Sequence, residues 1–590
     1  MNPDSSTSLI EADLILLHAP SVYDFRNRDD TLFAYLSSSD SVNVSPIYEM
    51  YPLGFKALES YLSRHGFKVT IINIAALMLR YPDLEVPQLL ACLRARLFGI
   101  DLHWMCHVQG SLALAEEVKA CHPETPIIFG GFSASYYWQE VLRFPQVDMV
   151  MRGYDTLEPM LRLLRALEAG DDLDSVPNLC WKDRLAGLCS NAFTHLPDAL
   201  EHSPDWSSYG QQASNGASTD SLLKNSPYIL TLHSTGCSLD CPWCGGSREA
   251  MRRLTGKQGR TVIHKAQQAM VDEIASLGDV SGSGMYIYTL QWYNEPRHRI
   301  EPFLQAVKKA GIDKIHFELY HLYPLDLVRK MCQYVQPHLL LAPESHDREI
   351  SRLAGRGQYS MQEMEQWIEQ VLQIGVPQVQ VWFFIGMPQQ TSQSVYDTVA
   401  YCEELMARFP GGKVIPLICP MVPFLDPAST LFEQPEEFGY RVFHRTLEEH
   451  RRAMTTLTWE ERLNYETEWM SRREIVFTSY EAVRRLVKAK AVYGVLPKFV
   501  TNKVVSRIDE TVALLRRINR ANALPHRSAR LQALARLKPE ILAYNQKIFQ
   551  GSSDQLFPVD RPFEQRWFDD VDTVEKLKAV IQRPKIRLAG

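Results

Sequence analysis

Two successive series of short apolar runs alternating with amphipathic stretches constrain this chain more than any other feature of its sequence. Between residues 12 and 168, β-like runs at 13–18, 68–74, 97–103, 126–131 and 147–153 alternate with helical stretches at 54–65, 111–121 and near Tyr137. A strand returns parallel to its predecessor only through a crossover, usually a helix, and a sheet built this way is covered on both faces. The expected N-terminal fold is α/β, a doubly wound Rossmann-like domain over 12–168. Sheets of this kind take ligands at the carboxyl ends of their strands, where the strand order reverses. A second series, with runs at 228–233, 285–288, 314–319, 338–342, 376–385 and 414–418, predicts a central partial (β/α)6 barrel of TIM type over 227–435. Residues 169–226 read as a connector, hairpin-like near 179–183 and rich in Ser, Asn, Gln and Gly from 209 to 224. From 436 to 590 the strands fade into Glu-, Arg- and Leu-rich stretches, a C-terminal helical accessory region.

With 590 residues, 45% hydrophobic and 22% charged, the chain has a globular make-up and is too long for a single core. Sixty-three Lys and Arg against 69 Asp and Glu leave a net charge of −6, which argues against an extended nucleic-acid-binding face. The longest apolar runs fall well short of the roughly 20 residues that span a bilayer. The start, Met1-Asn-Pro-Asp-Ser-Ser, has no basic segment followed by an apolar one. The expectation is a cytoplasmic protein with no membrane partner. Its 11 cysteines are sparse and odd in number, the pattern of reduced thiols or ligands rather than of a disulfide framework.

Three cysteines stand together in Thr235-Gly236-Cys237-Ser238-Leu239-Asp240-Cys241-Pro242-Trp243-Cys244-Gly245-Gly246-Ser247, a CxxxCxxC spacing directly after the first strand of the second series. Three thiolates converging from one loop suit three irons of a [4Fe–4S] cube and leave the fourth iron open. The alternatives are a structural zinc site, which needs a fourth ligand and usually paired CxxC units, and three buried thiols with no ligand. No second CxxC pair exists among Cys92, Cys106, Cys121, Cys180, Cys189, Cys332, Cys402 and Cys419, which weakens zinc.

The loop resembles the signature of the radical S-adenosylmethionine (SAM) superfamily, CxxxCxΦC, with Trp243 as the aromatic Φ. The resemblance implies that Cys237, Cys241 and Cys244 hold the catalytic cluster, that SAM chelates the open iron through its amino and carboxylate groups, and that Trp243 lies near the adenine. Weaker matches follow in the superfamily's order. Asn294-Glu295-Pro296 stands where relatives have Gly-Gly-Glu-Pro and keeps only the Glu-Pro, which implies Glu295 as a partner of the SAM ammonium. Glu318, Pro343-Glu344-Ser345 and Arg356 match places that contact the ribose or carboxylate of SAM; a plain strand-end carboxylate is the other reading of Glu318. Phe384-Ile385-Gly386-Met387-Pro388 resembles the turn whose backbone holds the adenine.

The N-terminal domain resembles the cobalamin (B12)-binding domain of cobalamin-dependent radical SAM enzymes. The matching residues are Phe129-Gly130-Gly131-Phe132-Ser133, then Gly153 to Glu158-Pro159, Tyr51-Pro-Leu-Gly54 at a helix start, and Leu196-Pro197 with the stretch from Pro204 to Tyr209 as an interdomain linker. The resemblance implies Gly130, Gly131, Ser133, Gly153 and Glu158 as cobalamin contacts; a Rossmann-like domain with another nucleotide or no ligand is the alternative. Domains that ligate cobalt through histidine carry DxHxxG after their first strand, and here that place holds His18-Ala-Pro-Ser-Val-Tyr. Asp101-Leu-His103-Trp-Met-Cys106 contains a DxH, but after the third strand and with Cys in place of the Gly. Base-off binding with no protein histidine on cobalt is the expectation, with His103 and His107 as loop contacts.

Together these resemblances imply a cobalamin-dependent radical SAM enzyme, first of all a class B-like methyltransferase. One SAM would methylate cob(I)alamin; a second would be cleaved at the cluster to a 5′-deoxyadenosyl radical that takes hydrogen from the substrate. An unactivated carbon of a small molecule or natural product would then receive the methyl group from methylcobalamin. A phosphinate phosphorus is the other target, since Cys244-Gly-Gly-Ser247 is similar to a P-methylase branch. An electron donor such as flavodoxin or ferredoxin is implied as partner. The alternatives are cobalamin-dependent rearrangement or cyclisation without methyl transfer, and a non-catalytic corrinoid- or metal-binding regulator. In the C-terminal region, Arg pairs dispersed among acidic residues read as a solvated helical face, and Trp469, Tyr480 and Tyr493 as core.

Overall fold

The computed structural model describes residues 10–34, 53–183, 185–206, 228–256, 261–277, 286–421 and 424–552. The expected helix start at Tyr51-Pro52, the end of the interdomain linker at 207–209, the polar stretch 209–224 and the chain beyond 552 lie outside the described residues.

The first series folds into a seven-stranded sheet, β1 (Ile10–His18), β2 (Val69–Asn73), β3 (Leu93–Asp101), β4 (Ile127–Gly130), β5 (Met149–Met151), β6 (Leu179–Asp183) and β7 (Gly187–Ser190), in the order β2-β1-β3-β4-β5-β6-β7. The first five strands pair in parallel and the last two antiparallel. Alternate side chains of β1 enter different cores. Leu14 and Leu16 pack in a cluster with Leu58, Leu62, Leu163 and Leu164 from helices Leu53–Arg64 and Leu157–Ala169, while Ile15 and Leu17 join the opposite face with Leu112 and Val118 of helix Val108–Cys121. Burying each of these side chains stabilises the sheet by about 1.5–3 kcal/mol, which is why the strand reads as an unbroken apolar run. The hairpin at 179–190, expected in the connector, is instead the edge of this sheet: Met149, Val150 and Met151 pair with Trp181, Cys180 and Leu179. Because β2 and β3 lie on opposite sides of β1, the chain order reverses there, and a crevice opens at the carboxyl ends of β1 and β3.

The second series forms a six-stranded sheet of β8 (Tyr228–Leu232), β11 (Tyr286–Leu290), β12 (Lys314–Leu319), β13 (Gln336–Glu344), β14 (Gln378–Ile385) and β15 (Val414–Pro420), all parallel and in sequential order. Sequential parallel order with helical crossovers is the barrel pattern the apolar runs predict. Just after β8 the chain makes a small antiparallel pair, β9 (Ser234–Gly236) with β10 (Val262–His264), which fixes the entry to the cysteine loop.

Beyond the barrel a two-stranded hairpin, β16 (Tyr440–Val442) with β17 (Tyr465–Thr467), precedes three long helices, Arg472–Val492, Lys498–Asn522 and Arg527–Ser552. The expected Tyr480 is core: its hydroxyl donates to Ala34 O at 2.6 Å and accepts from Trp459 Nε1 at 3.1 Å. Asn545, wholly buried, completes a clasp on the segment after β1. Its Oδ1 accepts from Phe33 N at 3.0 Å, and its Nδ2 donates to Thr31 O at 2.8 Å and Arg28 O at 3.0 Å. Asn545→Ala should strand these backbone groups and cost about 1–3 kcal/mol. A thermal-unfolding midpoint unchanged from wild type would show that the clasp contributes nothing. Among the described residues no helix is long and apolar enough to cross a membrane.

Candidate functional site

The three cysteines occupy the loop between β9 and helix Arg248–Thr255, at the carboxyl end of the first barrel strand. Both ends of the loop are pinned. Cys237 N donates to Thr261 O at 2.9 Å, Ser247 Oγ accepts from Ala250 N at 3.2 Å as the helix cap, and the Asp240 carboxylate accepts from Glu249 N at 3.0 Å and Arg248 Nη2 at 2.7 Å. All three thiols are free, and each sulfur has a donor or a hydroxyl against it. Cys237 Sγ lies 3.2 Å from Leu239 N and from Tyr293 Oη; Cys241 Sγ accepts from Arg356 Nη1 at 2.6 Å; Cys244 Sγ accepts from Gly246 N at 3.3 Å. Burial pushes the Cys241 thiol up to about 12 against the pull of Arg356, and raises Cys244 well above the ordinary thiol range. Soft ligands surrounded by N–H donors suit a thiolate-bound cluster, whose loading would release the thiol protons. Among the described residues no three His, Cys, Asp or Glu side chains converge on a single-ion site.

Arg356 organises the floor beside the loop. Its Nε donates to Glu344 Oε1 at 3.1 Å and Ala342 O at 3.2 Å, and its guanidinium lies 4.0 Å over the Tyr320 ring. Gly355 brings it there: with φ +86° it presses on the loop so closely that a Cβ would come within 2.7 Å of Cys241 Cα. Glu344 ends β13 in the left-handed region, φ +67°, after a shift in register between Leu341 and Glu344. It is 1% exposed, its Oε2 has no hydrogen-bond partner, and burial lifts its carboxyl to about 7 while Arg356 pulls it down. A non-glycine residue held at positive φ, with an orphan carboxylate oxygen, makes Glu344 a candidate functional position. Ser345, also buried, accepts from Asp347 N at 3.1 Å and belongs to the same turn. Glu318 on β12 accepts from Gln291 N at 2.9 Å and Tyr320 Oη at 2.8 Å, and burial raises its carboxyl.

The two remaining turns differ. Trp243 and Phe384 pack at 5.7 Å between ring centroids with their planes tilted by 34°, and Trp243 Nε1 is buried and unbonded, so the Cys241–Cys244 segment meets the end of β14. Gly386, φ +100°, donates its N–H to Gln390 Oε1 at 2.8 Å and accepts from Tyr440 Oη at 2.5 Å. Glu295 is buried between Arg299 Nε at 2.7 Å and His233 Nδ1 at 3.4 Å, while its neighbours reach the cysteine loop. Tyr293 meets Cys237, and Asn294 Oδ1 accepts from Ser238 Oγ at 2.7 Å.

The N-terminal sheet presents its own glycine turns to this loop. Gly131 and Gly153, at φ +107° and +128° after β4 and β5, line a cavity of about 470 Å³ together with Phe132, Tyr154, Arg253 and Leu254, the last two on the helix that follows the cysteines. Gly130 O accepts from Leu102 N at 2.8 Å, and Ser133 is buried beneath with Oγ 3.4 Å from His103 O. Glu158 stands apart from the cavity lining, tying Tyr61 Oη at 3.0 Å to Arg162 Nε at 2.8 Å on the covering helices. The sequence reading missed Asp426, a buried carboxylate that accepts from Gly245 N at 3.0 Å and from the Trp104 side chain, and that burial lifts to about 6. It also missed Phe132, which closes on Gly245 from the other domain, where a Cβ would come within 2.8 Å of the ring. The Asp426-Pro and Trp104 positions carry no local motif; they meet only across long stretches of chain.

Residues 41–160 match the B12 binding domain family and residues 231–402 the radical SAM superfamily. No curated protein matches the sequence. Among solved structures, the fold resembles the cobalamin-dependent SAM radical enzyme OxsB with aqua-cobalamin and SAM bound. Identity is 13%, the match covers 98% of this chain and 80% of that one, and the TM-score is 0.52. It also resembles the radical SAM methyltransferase TsrM from Kitasatospora setae with cobalamin and a [4Fe–4S] cluster bound, at 15% identity over 73% of this chain and 80% of that one, TM-score 0.50.

Proposed function

Because the chain belongs to the cobalamin-dependent radical SAM enzymes, with a B12-binding domain followed by a radical SAM domain, we propose that it is a methyltransferase acting on a small-molecule or natural-product substrate. When bound, the cluster supplies the electron that cleaves SAM, and cobalamin carries the methyl group. The observation that supports this reading most is the meeting of the two domains at one place. The cysteine loop packs through Gly245 against Phe132 and through Asp426 toward Trp104, beside the cavity of Gly131 and Gly153. A substrate bound there would meet residues of both domains.

The residues fit the groups they would hold. Cys237, Cys241 and Cys244 offer three thiols with N–H donors already aimed at the sulfurs, and Arg356 balances the negative charge that cluster and Glu344 place together. Glu344 Oε2 and Trp243 Nε1, buried and unbonded, are an acceptor and a donor awaiting a polar ligand such as SAM. Ser345, Glu318 and the Gly386 turn close the same floor, and Phe384 extends the Trp243 face for an adenine. Glu295, already paired with Arg299, holds the turn whose Tyr293 and Asn294 brace the loop. Gly131 and Gly153 would wall the cobalamin site, with Gly130 and Ser133 in the turn beside Gly131, and Glu158 steadies the covering helices. The partners are an electron donor of flavodoxin or ferredoxin type and the substrate, with no nucleic acid. The target atom is an unactivated carbon or a phosphinate phosphorus.

Counting the products formed from SAM tests methyl transfer. Anaerobic turnover should give S-adenosylhomocysteine together with 5′-deoxyadenosine; 5′-deoxyadenosine alone would favour rearrangement or cyclisation instead.

A further inference from the structure

Cys237 has a neighbour that the other two sulfurs of the loop lack, a tyrosine hydroxyl. Tyr293 stands in the short turn Trp292–Asn294 that follows β11, and its Oη lies 3.2 Å from Cys237 Sγ. Among the described residues that hydroxyl has no other hydrogen-bond partner. The side chain is this chain's own departure, since Tyr293-Asn294 precedes Glu295-Pro296 where the resembling motif has two glycines.

The hydroxyl is held in place from three directions. On one side of Tyr293, the wholly buried Trp292 ring packs on Phe303 and Phe317 at 5.0 and 4.8 Å between centroids. On the other, Asn294 ties the turn to the cysteine loop: its Oδ1 accepts from Ser238 N at 3.2 Å, and its Nδ2 donates to Ser234 Oγ at 3.2 Å. The Tyr293 ring meets the Tyr320 ring edge-on at 4.4 Å. Tyr320 is fixed in turn by its bond to Glu318 and by the Arg356 guanidinium over its ring. Cys237 is 8% exposed, so little water competes for the sulfur.

The direction of the bond follows from the chemistry of the pair. A free thiol and a phenol can each donate, but a thiolate bound to iron carries no proton, and the only proton between the two atoms is then the phenol's. It joins the Leu239 N–H, which lies 3.2 Å from the same sulfur. Hydrogen bonds to a charged acceptor are roughly twice as strong as neutral ones, and those to the cysteine sulfurs help set a cluster's potential. One-electron reduction adds negative charge and leaves the phenol its proton, so a donor at the sulfur favours the reduced form.

We propose that the Tyr293 hydroxyl donates to Cys237 Sγ in the cluster-loaded enzyme and raises the cluster's reduction potential, easing the transfer of one electron from a flavodoxin- or ferredoxin-type donor. This rests on the cysteine loop as the site of the cluster and holds whichever reaction follows. Acting through Cys237, Tyr293 is a positioning residue and not a catalytic one.

The test is a redox titration of the full chain, reconstituted anaerobically with iron and sulfide and followed by electron paramagnetic resonance of the reduced cluster. Tyr293→Phe removes the oxygen and keeps the ring against Tyr320. The expected result is wild-type iron and sulfide content with a reduction equilibrium constant about tenfold lower, which for one electron is a midpoint about 59 mV more negative. A midpoint equal to wild type or above it, in protein carrying a full cluster, would overturn the proposal. Where Tyr293→Phe holds no cluster, a tyrosine fluorinated beside its hydroxyl and placed at position 293 decides, because its more acidic O–H is a stronger donor of nearly the same shape. The midpoint should then move to more positive values, and one that stays or falls sinks the proposal. A wild type that takes up no cluster, or a full cluster retained in Cys237→Ala, would remove the cysteine reading itself and this one with it.

Discussion

Replacing any one of Cys237, Cys241 and Cys244 with Ala should leave a folded protein that no longer assembles a full [4Fe–4S] cluster and no longer cleaves SAM. The three sulfurs sit in a loop pinned by backbone and by the Asp240 and Ser247 caps, none of which uses a thiol as its anchor, so the loop keeps its course when one sulfur is lost. A cluster held there could not make that adjustment, since each sulfur would be the protein's bond to one iron. Iron and sulfide analysis after anaerobic reconstitution, with the brown charge-transfer absorbance, should fall to a small fraction of wild type in each variant. 5′-Deoxyadenosine release should drop to background. Retention of a full cluster in any of the three would refute the loop as its site.

Glu344→Gln should separate binding from stability. The wild-type carboxyl is raised from its ordinary 4.5 to about 7 because its burial is only partly offset by Arg356. A carboxyl raised on folding favours the folded state while protonated. Its stability contribution is therefore full below about pH 4.5 and is lost as pH rises through 7. The loss above that point is about 3 kcal/mol. Removing the ionisable group removes the loss, so Glu344→Gln should gain unfolding midpoint over wild type more at pH 8 than at pH 5. SAM affinity should move the other way, falling on the order of tenfold or more, since a hydrogen bond to a charged group contributes about 1.5–3 kcal/mol. Equilibrium binding at pH 8 checks this, and undiminished affinity would take Glu344 out of the SAM site.

What the sequence made legible follows from how far apart the deciding contacts lie. The alternation of Leu14 and Leu16 with Ile15 and Leu17, and the six spaced apolar runs of the second series, express local periodicity, and both sheets came out as that pattern requires. The cysteine loop was legible for the same reason, because its ligands and caps sit within a dozen residues. The hairpin Leu179–Asp183 with Gly187–Ser190 was read as connector because a short hairpin carries no sign of which sheet edge it extends; its pairing with Met149–Met151 decides that. Asp426 and Phe132 close on Gly245 from 181 residues downstream and from the other domain. A single sequence contains no trace of such meetings. Nor did Glu-Pro at 295 and 296 reveal that Arg299, one helical turn on, would occupy the carboxylate. Asn545 is likewise silent in sequence, an ordinary polar residue on a long helix until Phe33, Thr31 and Arg28 present their backbone to it.

Methyl transfer is tested most directly by mass spectrometry of products after the enzyme, reconstituted anaerobically with iron, sulfide and cobalamin, is given SAM carrying a deuterated methyl group in extract of its native host. The expected result is a small-molecule product heavier by one labelled methyl group, formed only when cobalamin is present. Cobalamin-dependent release of 5′-deoxyadenosine with no label in any product would contradict it.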